Sequence, residues 1–329
     1  MPTTVAGPES SRKMSNPLTK TLALTFGIPL LIGLMLWAFL APTFASSPAA
    51  VPIAVAGPDP VVEKLQGQVE QRDEHPELIT AGSQEEAVEM VENREAVGAI
   101  AVTQEGATVY TASGNGAPYA QLLGGVAQQM ESSGMPVDTV DLAPTTDADP
   151  QATGLGLLGL PLAFGGIISA VLATILLRGH KWLKMTVIAG VALLGSAIVV
   201  WMLHSVYGTL DGSALLEWIA VALGISATSA LTAGLGAVLG MPGIGLGAVL
   251  TIFVSNPLSG LATGPWILPA GWSTLGQLMP IGATGFLVRS ISFFDGAGAT
   301  QAWIVLASWV VIGLILLMFD RQKVSAAAE

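Results

Sequence analysis

Apolar residues in this chain come in long unbroken runs: Thr21–Phe44, Gly154–Leu177, Met185–Leu203, Trp218–Ser255 and Ala302–Phe319. A helix needs roughly 20 residues to cross about 30 Å of hydrocarbon, so four of these runs predict one span each. The run from Trp218 has room for two. Its turn signal, Met241-Pro242-Gly243, divides it, with the break predicted near Gly236. Six spans follow.

Between the first two runs the pattern changes. Val51–Gly57 reads as a short buried strand, and Pro60–Arg72 carries apolar residues at helical spacing (Val61, Val62, Leu65, Val69). The alternation continues with a strand at Glu77–Ala81, a helix at Ser83–Ala96, a hairpin of Val97–Thr103 and Thr108–Ala112 around Glu105-Gly106, a helix at Pro118–Ser132 and a strand at Val137–Leu142. Ser83-Gln-Glu-Glu86 has the form of a capping box, in which Glu86 reaches back to the Ser83 amide. Asn115, between two glycines, reads as a turn residue, and Pro144–Thr153 as a linker returning the chain to the membrane. The predicted fold class is an α-helical membrane protein of six transmembrane helices with a small α/β domain inserted between helices 1 and 2.

Charge orients this arrangement. The chain is 52% hydrophobic and 11% charged with a net charge of −11, yet Ala45–Pro150 holds 17 acidic residues against only Lys64, Arg72 and Arg94, a balance of −14. Arg12, Lys13 and Lys20 precede the first run, Arg178, Lys181 and Lys184 lie between the second and third, and Arg321 and Lys323 follow the last. The positive-inside rule places these on the cytoplasmic side of the cell membrane. With six spans the alternation closes, with both termini inside and the acidic domain outside. The domains predicted are a cytoplasmic segment (1–20), the first span (21–44), the extracytoplasmic α/β domain (45–150) and the remaining helices (151–329). A competing reading takes Thr21–Phe44 as a cleaved signal peptide, although its apolar core exceeds the usual length.

The chemistry of several function classes is missing. Absent cysteines remove disulfides and thiolate metal sites, and His75, His180 and His204 fall in separate segments without metal-ligand spacing. An acidic domain without a basic stripe argues against nucleic acid. Gly154-Leu-Gly-Leu-Leu-Gly159 matches a dinucleotide fingerprint but opens an apolar span, so close helix packing explains it better than a cofactor. There is no Walker A loop, Gly-x-Ser-x-Gly elbow or His-Glu-x-x-His pair, so no enzyme and no cofactor is expected.

Three features carry functional readings. Ser226, Ala230 and Gly234 form a small-residue stripe suited to close helix contact, within the chain or with a second copy. The loop Arg178–Lys184, with Arg178, His180, Lys181, Trp182 and Lys184, reads either as a topology signal with an interfacial anchor or as a docking surface for a cytoplasmic partner. Asn256–Gln301 is apolar but broken by Pro257, Pro265, Pro269 and Pro280. Its pieces Pro265–Leu278 and Ile281–Phe294 are too short to cross and predict a re-entrant or interfacial hairpin on the outer side. Arg289 within it faces a polar cavity or anionic headgroup, or snorkels to the outer interface beside Phe293, Phe294 and Asp295. The acidic domain likewise has two readings, a contact module or a solvated spacer.

One span, an exported α/β domain and five further spans, with Asn256-Pro-Leu-Ser-Gly260, Leu268-Pro269, Leu278-Met-Pro-Ile-Gly282 and Arg289-Ser-Ile-Ser-Phe-Phe294 before the last, resembles the permease superfamily of ABC type-2 exporters. It is most similar to the YhgE/Pip-like (phage infection protein) branch. The resemblance implies a permease that forms a homodimer, or a heterodimer with a similar permease, in the lipid bilayer. It further implies a coupling loop at Arg178–Lys184 seated on a separate cytoplasmic ATPase, and an outer gate at about 256–294 that includes Asn256, Pro257, Ser259, Gly260, Pro269, Pro280 and Arg289. The expected function is export of an amphipathic, lipid-linked or drug-like molecule. The alternative is a non-transporting surface protein, a receptor, adhesion site or envelope-assembly scaffold that acts through the α/β domain.

Overall fold

The computed structural model describes residues 17–48, 51–71, 75–269 and 271–320. Arg12, Lys13, Arg72, Arg321 and Lys323, which entered the charge reading, lie outside the described residues. Five described helices are long and apolar enough to cross a membrane: α1 (Pro17–Phe44), Thr153–Leu176, Lys181–Val206, Ala214–Leu239 and Thr300–Met318. The chain therefore has the build of an α-helical membrane protein. The remaining predicted span, the second half of the run from Trp218, is the shorter helix Met241–Ser255.

After α1 the chain forms β1 (Pro52–Ala56), α2 (Asp59–Val69), β2 (Glu77–Ala81), α3 (Gln84–Glu92), β3 (Gly98–Val102), β4 (Ala107–Thr111), α4 (Ala117–Ser132) and β5 (Val137–Asp141). The sheet order is β2-β1-β3-β4-β5; the β3–β4 hairpin pair is antiparallel and the other pairs are parallel. Strand alternation sorts the core. Ala54, Ala56, Ala99 and Ala101 point to the α3 face, where small side chains let the helix lie close, whereas Ile53, Ile100, Val102 and Val109 join the core on the other face, with residues of α2 and α4. Ser83 caps α3 by accepting from the Glu86 amide at 3.2 Å, while the Glu86 carboxylate accepts from the Gly82 amide at 2.7 Å and not from that of Ser83. The helix predicted to reach Ala96 stops at Glu92, because Arg94 takes a left-handed φ of 62°.

The apolar half comprises α5 (Thr153–Leu157), α6 (Gly159–Leu176), α7 (Lys181–Val200) with a π-helical end at Trp201–Val206, α8 (Ala214–Leu239), α9 (Met241–Val249) with a π-helical end at Leu250–Ser255, α10 (Trp272–Gln277), α11 (Pro280–Phe293) and α12 (Thr300–Met318). Helix α8 is the hub, packed by α6, α7, α9, α11 and α12. Without water between helices, such packing relies on van der Waals contact, and small residues allow it. A Cβ on Gly313 of α12 would lie 2.3 Å from the Ala230 carbonyl carbon, and one on Gly234 would lie 2.6 Å from the Gly313 oxygen. Ala230 and Gly234 of the small-residue stripe thus serve contact within the chain. The glycines of the Gly154–Gly159 segment do the same against Thr209, Ala262 and Asn256. The break between α8 and α9 falls at Gly240, four residues beyond the expected place, with φ 70° and ψ −145°, a conformation open to glycine alone.

The linker is pinned at both ends. The Thr145 amide donates to Ser113 Oγ, and Asp149 accepts from the amides of Thr153 and Gly154 and from the Thr209 hydroxyl, each at 2.8 Å. Burial works against the Asp149 charge, but those donors outweigh it and hold its carboxyl below the ordinary value. Because α8 and α12 touch backbone to backbone, Gly313→Leu should force them apart. The expected loss is about 1–3 kcal/mol, read as a lower melting temperature of the detergent-solubilised protein, with Gly245→Leu, at an uncrowded glycine, as the neutral control.

Candidate functional site

Both cores of the α/β domain are completed by the membrane half. Phe293, Phe294 and Ala297, around the end of α11, pack into the α3 face of the sheet, and Trp266 and Ile267 pack into the α4 face. The turn Ser113–Asn115 is wedged between them: a Cβ on Gly114 would lie 2.6 Å from Phe293 Cβ, and one on Gly264 would lie 2.6 Å from the Tyr119 hydroxyl. Tyr119 stands edge-on to Trp266 with ring centres 5.9 Å apart, and its oxygen accepts from the Ile267 amide at 3.1 Å. Burial pushes the Tyr119 phenol up from its ordinary value, keeping it neutral in this joint.

Two arginines cross the joint in opposite directions. Arg289, on α11, is 4% exposed and donates to the carbonyl oxygens of Gly114 (2.7 Å) and Leu261 (2.8 Å). The snorkelling alternative therefore does not hold, because the side chain turns into the protein. Arg94 comes from the α/β side and is 5% exposed. Its Nε donates to Asn115 Oδ1 at 3.2 Å, and its Nη1 to the Phe286 carbonyl at 3.2 Å and to Ser290 Oγ. Its Cζ lies 3.8 Å from the ring centre of Phe286, 4.7 Å from that of Phe294 and 5.6 Å from that of Trp266. Rings at these distances offer their negative faces to the cation. Asn115 is thus more than a turn residue: wholly buried, it also donates to the Val97 carbonyl and fixes Arg94. The signal for Arg94 in the sequence is its isolation: it is the sole Lys or Arg between Arg72 and Arg178.

Beside this joint lies an open groove of about 370 Å³. It runs between the end of α1 (Phe39, Pro42, Thr43, Ser46) and the loop after Ser255, and Asn256, Pro257, Ser259 and Gly260 line it. The rest of the predicted hairpin departs from expectation. Its first piece is helical only over α10, where Pro269 accepts from the amides of Trp272 and Ser273. Its second piece, α11, begins at Pro280 and is buried along nearly its whole length, packed against α8 and α12.

The loop at the far end of the bundle also divides. Arg178, His180 and Trp182 are exposed and Lys181 is half-buried, whereas Lys184 is fully buried and bonds Asp320 at 2.7 Å. Lys184 is thus a structural ion pair holding α7 to the end of α12 and offers nothing to a partner. A further buried carboxylate, Glu217, collects His204 Nδ1 (2.9 Å), the Gly212 amide (3.1 Å) and Ser292 Oγ (2.8 Å), joining α7, α8 and α11 near the sheet. The thirteen-residue gap between His204 and Glu217 bridges a turn, which concealed the pair from a search for ligand spacing.

No family model matches the chain, and no curated protein or solved structure is similar to it. Gly114 supplies a direct check of the joint. Gly114→Val should push the turn away from Phe293 at a cost of about 1–3 kcal/mol, and limited proteolysis should then release the α/β domain faster than from the unaltered protein.

Proposed function

We propose that the chain crosses the cell membrane six times, with both termini inside and the α/β domain outside, and serves as the permease subunit of an ABC type-2-like exporter. Support for the sixth crossing comes from contact geometry. Helices α6, α7 and α8 are three spans, yet the chain beyond Ser255 is again in contact with the α/β domain through Trp266, Ile267, Phe293 and Phe294. Met241–Ser255 is the segment available for the return. It starts near Thr174 at the far end of α6, where Gly236 meets both Thr174 and Ile244, and it finishes where Asn256 faces Gly159. At roughly 22 Å it is short for a span, a mismatch that local thinning of the bilayer accommodates at modest cost.

The observation that carries the transport reading is α11. It is buried between α8 and α12 and is also bonded to the α/β domain through Arg94 and Arg289, so a rearrangement of the bundle is transmitted to the domain. A spacer would not need its cores finished by the membrane half. The groove against the end of α1 lies within the size range of small-molecule sites and suits the amphipathic end of a cargo. Packing in a dimer with a second permease would enclose it, since the apolar window of α1 is unburied within one chain. The exposed Arg178, His180 and Trp182, with Lys181, would meet the ATPase.

The native chain lacks cysteine. Single cysteines at Ser213 and Asp295 should therefore react with a membrane-impermeant thiol reagent in intact cells, and one at His180 should not. Labelling at His180 alone would overturn the orientation. For the transport reading, affinity purification in mild detergent should recover a P-loop ATPase in stoichiometric amount, lost in the double variant Arg178→Glu with Lys181→Glu. Recovery of envelope enzymes without any ATPase would favour the surface-scaffold alternative instead.

A further inference from the structure

We propose that Arg94 and Arg289 form a binding site for a small monovalent anion, of the size of chloride, in the joint between the α/β domain and α11. The two guanidinium groups are held by consecutive residues of one turn, Gly114 and Asn115, and neither meets a carboxylate. Among the described residues the Lys184–Asp320 ion pair and the His204–Glu217 contact both lie elsewhere. All five partners of the two arginines are neutral: Asn115 Oδ1, Ser290 Oγ and the carbonyls of Phe286, Gly114 and Leu261. The segment carrying Arg94 is rich in carboxylates, yet none of those among the described residues bonds either arginine. Two like charges in an apolar setting repel each other and lose hydration, so an uncompensated pair is costly. That cost registers on Arg94, whose guanidinium is pushed well below its ordinary value, first by burial and then by Arg289.

A second observation marks where a ligand belongs. Nη2 of Arg94 is buried and donates to no acceptor among the described residues, although its neighbours Nε and Nη1 are bonded. Such a group in a native fold calls for a partner that is not part of the chain. A cavity of about 70 Å³ adjoins the cluster, lined by Gln277, Phe286, Gly298, Gln301 and Ala302. Phe286 is the ring stacked on Arg94, and a Cβ on Gly298 would lie 3.4 Å from Arg94 Cβ, so two residues of the cavity wall also pack against Arg94. Gln277 Nε2 is engaged by the Ser259 carbonyl at 3.0 Å, and the Gln301 amide in the same wall carries further N–H donors. The space accommodates a monatomic anion with a few waters and excludes a lipid headgroup with its chains. A bound anion would tie the α/β domain to α11 more firmly, making the joint dependent on anion concentration.

The test uses the full chain in detergent. Replacing chloride by gluconate at equal ionic strength should lower the melting temperature by about 5 °C, and bromide should restore it. In Arg94→Gln the difference between chloride and gluconate should vanish. An unchanged difference in that variant would place the anion elsewhere and overturn the assignment, as would identical melting of the unaltered protein in both salts. Should Arg94→Gln fail to fold, crystals of the unaltered protein grown in bromide decide: anomalous scattering beside Arg94 Nη2 supports the site, and its absence there refutes it.

Discussion

Guanidinium groups buried in apolar surroundings have to direct their N–H bonds at protein acceptors, and the joint between sheet and bundle is organised by that requirement. Arg289 reaches from α11 to a carbonyl of the α/β domain, and Arg94 reaches from the domain to a carbonyl and a hydroxyl of α11. Each half thereby supplies hydrogen-bond acceptors to the arginine of the other, though no opposite charge. A non-glycine residue at positive φ is mildly unfavourable, and Arg94 accepts that conformation because it ends α3 and swings the side chain across the joint. The aromatic rings of Phe286, Phe294 and Trp266 surround the cation and exclude water from the same bonds.

The bundle answers a different constraint. Lipid gives helices little hydrophobic reason to associate, so α8 gathers its neighbours through glycine, alanine, serine and threonine at close range. Its pairing with α12 brings Ala230, Gly234 and Gly313 into backbone contact, and Gly224 admits Thr284 of α11. Polar residues inside the bundle reinforce this. Ser169 and Ser229 bond at 2.9 Å between α6 and α8, and Glu217 ties three helices at the end near the sheet. At the opposite end Lys184 and Asp320 neutralise each other out of water. Beside these matched pairs, the arginines of the joint are the unmatched buried charges among the described residues, which is why they bear a functional reading while Lys184 bears a structural one.

Much of the architecture was legible along the chain because it follows from local rules. Apolar runs have a length, and that length predicts spans; strands alternate and helices repeat, and that periodicity predicted every strand and helix of the α/β domain. The Met241-Pro242 signal located a break, and the proline-broken stretch after Asn256 stood out as neither span nor loop. The errors lie where two distant segments meet. Glu86 bonds a neighbouring amide, and α3 stops early for Arg94.

By itself, then, the sequence determined the membrane build, the α/β domain and the residue types available for close packing, since each depends on the spacing of neighbours within one element. Tertiary structure alone decided that Lys184 is paired, that Glu217 gathers three donors, and that Arg94 and Arg289 face one joint from 195 positions apart along the chain. The physical reason is that the cost of a buried charge is settled by whichever groups surround it in space. For these side chains the partners come from segments that share no local pattern.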